Sequence, residues 1–167
     1  VVLIVAAVID GFELRVPNWI TLPMILTGWV FSWFAFGWSG VGWSLVGTVT
    51  GLALLMPAHM IGGMGAGDVK LLAGVGAWVH ATHTFYAFAV SAVVGGILAI
   101  GMVLVRKAWQ KHSRQFVGIL GEIHRIRDPE RLSVLAAERK SSMLLLPYGI
   151  PIAIGSIFYF AWTGLLI

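Results

Sequence analysis

The chain has 167 residues, 59% of them hydrophobic and only 11% charged, which is too apolar for a water-soluble domain of this length. It contains no cysteine, so disulfides, thiol catalysis and Cys-ligated zinc are excluded. A net charge of +4 would point a soluble protein toward nucleic acid, but here the placement of the charges matters more than their sum, and no nucleic-acid partner is expected. The apolar runs are continuous and about twenty residues long, as transmembrane helices require; barrel strands would alternate. The expected architecture is all-α: one polytopic membrane domain of about six transmembrane helices, with one long cytoplasmic loop near 106–141.

Residues 1–9 are wholly apolar but cover less than half a hydrocarbon core at about 1.5 Å each, so the first helix reads as cut short at its start. With no initiator Met, basic n-region or clear cleavage site, a signal peptide is the weaker reading. Residues 10–16 make the first polar break. Pro17-Asn18 then opens a second span over roughly 19–36, where proline suits a helix start and Pro23 is a candidate kink. An uncharged connection at 37–42 leads to a third span over 43–60. The glycine-rich turn Gly62-Gly63-Met64-Gly65-Ala66-Gly67 delivers Asp68-Val69-Lys70 to the start of a fourth span, 68–80, extendable to 84. A fifth span covers 85–105, a charged loop follows over 106–140, and a sixth span covers 143–167.

All charged side chains fall in three places, 10–15, 68–70 and 106–140, and the last holds nine of the eleven Lys and Arg. By the positive-inside tendency that loop is cytoplasmic. Alternation then puts Asp10 and Asp68 on the same, cytoplasmic side. The outer connections at 37–42 and 80–84 carry no Lys, Arg, Asp or Glu. Trp19 and Trp109 fall near the inner interface, and Trp38, Trp43, Trp78 and Trp162 near the outer one. Within the loop, Asp128-Pro129-Glu130 reads as a helix start before Leu132, Leu135 and Ala136, while Phe116, Ile119, Leu120 and Ile123 form a second amphipathic set. Both suit helices lying on the bilayer surface.

Two carboxylates on different helices at one depth suit acid/base hydrolysis of a peptide bond. One ionised Asp takes a proton from water while its protonated partner hydrogen-bonds the scissile carbonyl. Such groups must be close, so that repulsion and desolvation leave one shared proton near working pH. Position alone is equally compatible with Asp10 ending one helix and Asp68 capping another.

Gly65-Ala66-Gly67-Asp68-Val69-Lys70 matches the Gly-x-Gly-Asp-x-Lys signature of the type IV prepilin peptidases, and Asp10 followed by Pro17-Asn18 is similar to that family's first motif. Leu146-Pro147-Tyr148-Gly149-Ile150-Pro151 resembles the Pro-aromatic-Gly start of its last helix. The three matches come in the family's order, each at the cytoplasmic end of an expected span. The resemblance implies an aspartic peptidase of the bacterial or archaeal cytoplasmic membrane that cuts the leader from the N-terminal helix of a prepilin or pseudopilin, with no cofactor. By resemblance Asp10 and Asp68 form the catalytic dyad, and Gly65 and Gly67 let the backbone approach the extended substrate. Lys70 either biases the charge of the dyad or binds a lipid or carbonyl. Larger members carry a cytoplasmic cysteine tetrad and also methylate the new N-terminus; without cysteines, this chain is expected to resemble the short peptidases of tight-adherence (Flp) pili.

Two rivals remain at this stage. Presenilin-type intramembrane peptidases share Gly-x-Gly-Asp, but their other Asp lies in a Tyr-Asp pair, and here Ile9 precedes Asp10. A proton-coupled transporter would use the aspartates as a relay, yet no internal repeat supports one. His59 reads as a packing residue near the inner end of the third span. His80 and His83 have helical ligand spacing but no third ligand nearby, so no metal is expected.

Overall fold

The computed structural model describes residues 1–13, 15–61, 63–105 and 147–165, the side chains of 103–105 excepted. Every regular element among them is a helix: α1 (Val2–Glu13), α2 (Asn18–Met60), α3 (Ala66–Val105) and α4 (Gly149–Thr163). The basic loop, its two expected surface helices, Trp109, His112 and His124 lie outside the described residues.

Two of these helices, α2 and α3, are long and apolar enough to cross a membrane, with mean hydropathies of 1.5 and 2.0. A straight helix of 43 residues would measure about 65 Å, roughly twice a hydrocarbon core. The α2 helix does not run straight. Gly37 takes φ 65° and ψ −151°, a conformation that glycine reaches without a Cβ penalty. Beyond it the chain turns back. Trp29 Nε1 donates to Thr48 Oγ1 at 3.0 Å, although residues so spaced stand about 28 Å apart in an unbroken helix.

In α3 the break is at His80, with φ 64° and ψ 179°. It is the only non-glycine residue with positive φ among those described, in a region that glycine almost monopolises. The arm before it, 66–79, packs alongside both arms of α2. Trp78 Nε1 donates to the Met24 carbonyl at 3.0 Å, and Gly47 and Gly76 meet backbone to backbone where a Cβ on either would collide. The arm after it, 81–105, runs antiparallel to α4. His83 Nδ1 lies 2.8 Å from the Tyr159 hydroxyl, Ser91 Oγ donates to the Ile152 carbonyl at 3.3 Å, and Gly95 faces Pro151.

Successive helical stretches therefore alternate in direction. Asp10, Asp68 and Gly149 gather at one end, and Gly37 and His80 stand at the other, where the Phe36 and His80 rings meet at 6.1 Å. The first arm of α3 is the centre of the bundle, with Leu71, Leu72 and Val75 fully buried. Large apolar side chains such as Phe34 and Ile97 face outward, as they do where lipid is the solvent.

Several boundaries differ from the sequence expectation, each for a local reason. The connections expected at 37–42 and 80–84 shrink to one non-helical residue each, because positive φ reverses the chain at once. Pro23 lies within α2, whose one non-helical residue is Gly37. The first helix continues past residue 9 to Glu13, which places Asp10 inside its last turn.

Candidate functional site

Asp10 and Asp68 are both almost fully buried, 1% and 4% exposed. Asp10 comes from the last turn of α1 and Asp68 from the first turn of α3, and the charge of Asp10 is near enough to act on Asp68. Among the described residues no cation pairs with either: the ion pair there is Arg15 with Glu13 at 3.8 Å, both exposed. Buried carboxyls without a counter-ion are costly and need hydrogen bonds from elsewhere.

The backbone supplies one of them. Gly65 immediately precedes α3, and the Asp68 side chain folds back over it, in the manner of the reciprocal half of a capping box. The Oδ2 of Asp68 lies over Gly65, and Oδ1 has no hydrogen-bond partner among the described residues. For Asp10 the donor comes from the far end of the chain. Gly149 N–H, at the first residue of α4, donates to Asp10 Oδ2 at 2.7 Å. A Cβ on Gly149 would stand 2.8 Å from that oxygen, so the carboxyl occupies the space a side chain would need. The preceding residue, Tyr148, lies close enough to Asp68 to feel its charge.

The other expected site residues have partners of their own around this pair. Pro17 is the N-cap of α2 with an extended ψ of 150°, and its carbonyl accepts the Ile20 N–H at 3.1 Å. Asn18 and Lys70 meet each other: Lys70 Nζ donates to Asn18 Oδ1 at 2.9 Å, joining the start of α2 to the start of α3. The missing Cβ of Gly67 is used by this chain's own Val16, whose backbone fills the space. His59 Nδ1 lies 3.0 Å from the Met64 carbonyl and steadies the glycine turn. His83 is engaged by Tyr159, and no three metal-binding side chains converge among the described residues.

Tyr148 and Gly149 are the site neighbours to which sequence reasoning gave no role. Their signal was the Pro-Tyr-Gly run at 147–149, which marks a helix start but does not say which carboxyl lies against it. Beside Asp10, an open apolar groove of about 450 Å³ runs between α1 and α4, lined by Ile4, Val8, Gly11, Ile150 and Ile154 among others.

Residues 1–100 match the model of the type IV leader peptidase family. The chain is 32% identical over 116 residues to a prepilin leader peptidase/N-methyltransferase of Aeromonas salmonicida, and 31% identical over the same length to one of Aeromonas hydrophila. Each alignment covers 65% of this chain and 40% of the relative, so the chain spans well under half the length of these relatives. No solved structure matches it. The family match takes in α1, α2 and most of α3, with both buried aspartates inside it, and the chain belongs to the type IV leader peptidase family.

Proposed function

We propose that this chain is a six-span aspartic endopeptidase of the bacterial or archaeal cytoplasmic membrane. It removes the leader from type IV prepilins or pseudopilins at the cytoplasmic face. The observation that carries this reading is the pair of buried carboxyls, Asp10 and Asp68, drawn from two helices to one end of the bundle with no cation between them among the described residues. Family membership favours peptide hydrolysis over a proton relay. The six spans correspond to α1, the two arms of α2, the two arms of α3, and α4. The nine basic residues of 106–140 orient the Asp10 and Asp68 end inward.

Hydrolysis needs one carboxylate and one carboxylic acid. The carboxylate takes a proton from a water whose oxygen attacks the scissile carbonyl carbon, and the acid donates its proton to the carbonyl oxygen. The tetrahedral intermediate collapses as the C–N bond breaks and a proton passes to the leaving nitrogen. No covalent enzyme intermediate forms. The apolar groove beside Asp10 suits a substrate whose cleavage site adjoins an apolar helix.

Co-expression with a prepilin tests the reading. Asp10→Asn and Asp68→Asn should each abolish leader removal, by at least about a thousandfold in rate, with protein abundance unchanged. Near-normal cleavage by either variant would remove that residue from the dyad.

A further inference from the structure

The two carboxyls are held differently, and the difference assigns a role to the start of α4. Asp68 folds back over Gly65, the residue just before its own helix, and keeps one buried oxygen free of any donor among the described residues. The donor to Asp10 lies 139 positions away in sequence, on a helix that contacts both α1 and α3. That donor is a first-turn amide, one of the N–H groups an α-helix leaves without an internal partner. Such an amide carries the positive end of the helix dipole and bonds best to a charged acceptor. Gly149 also has to be glycine, because the Asp10 carboxyl occupies the position of its Cβ.

We infer that Gly149 is a positioning residue of the dyad: its backbone N–H orients Asp10 as the carboxylate that takes the proton from water, leaving Asp68, with one oxygen that meets no donor among the described residues, as the acid that protonates the substrate carbonyl. This rests on the dyad reading above and divides the labour within it. The rigid start of α4 holds Oδ2, which leaves the remaining lone pairs of Asp10 for water. Because Asp10 sits near a helix end, an outside brace replaces the constraint that a mid-helix position would supply.

The donor can be removed without adding an atom. Replacing residue 149 by glycolic acid, which turns the Gly149 amide into an ester, deletes the N–H and leaves the Cβ position empty. With purified full-length enzyme and a purified prepilin in detergent micelles, kcat should fall roughly ten- to hundredfold, the scale of one hydrogen bond to a charged group, with KM unchanged. Gly149→Ala keeps the donor but pushes a methyl into the carboxyl, and it should also lower kcat more than it raises KM. Intrinsic Trp fluorescence on heating reads the fold of each variant independently. An ester variant that melts like wild type and retains wild-type kcat would overturn the role of Gly149. So would a loss carried by KM alone, or a loss of activity that merely tracks a lowered melting temperature. Full activity of Asp10→Asn would instead sink the dyad reading itself, so the two failures are distinguishable.

Discussion

The two ends of this bundle solve opposite problems with similar material. At the Asp10 and Asp68 end, three helix termini converge and two carboxyls are buried, one folded over the local Gly65 and one held by a backbone N–H from α4. At the Gly37 and His80 end the chain only turns around, by one positive-φ residue in each long helix, with aromatic rings filling the space. The site end therefore depends on where other segments lie, whereas the turning end depends on the local backbone. Substitutions at the first end should be read in turnover, and those at the second in stability.

Gly67→Ala should break this contrast most. Its methyl would meet the Val16 backbone, which immediately precedes the N-cap of α2. Overpacking of that kind costs about 2 kcal/mol, and the displaced strap carries α1, so prepilin cleavage should fall by more than the melting temperature alone explains. Equal losses of both would mean that the two ends respond alike. Tyr159→Phe should do the reverse. It removes the partner of His83 Nδ1, a loss of about 1 kcal/mol readable as a lower midpoint in thermal melts, with cleavage unchanged. Smallest is His80→Gly, which releases a strained backbone and should raise the melting midpoint slightly, by less than about 1 kcal/mol of stability because the extra chain freedom of glycine offsets part of the relief, again without altering cleavage. A fall in stability would show that the His80 ring, beside Phe36, contributes more than the backbone loses.

Much of the site end was legible in the sequence because its signals are local. The glycines before Asp68 announce a turn, Pro17 announces a helix start, and charge placement alone puts Asp10 and Asp68 at one end. The structure supports these readings and adds that Asp10 is inside α1 rather than beyond it, since the helix continues through Glu13. The bond from Gly149 to Asp10 was not legible: nothing in spacing or periodicity links a backbone amide to a carboxyl so distant in sequence. The same holds for Lys70, whose ammonium reaches Asn18 instead of the carboxylate two residues away. His80 was hidden for another reason. A histidine with positive φ contradicts backbone preference, and only the enclosing fold sustains it.

The attachment of α4 to Asp10 has a bearing on biosynthesis. Ribosomes deliver α1, α2 and α3 first, and the α4 segment follows only after residues 106–146. Until Gly149 arrives, the nascent chain holds both aspartates but lacks the amide that braces one of them. On the proposed dyad, a chain made only as far as α3 would be restrained from cutting membrane neighbours during its own insertion, because competence would wait for the start of α4. Chains arrested at 146 should accordingly be inert toward prepilin, and supplying the 147–167 segment as a separate peptide should restore measurable cleavage.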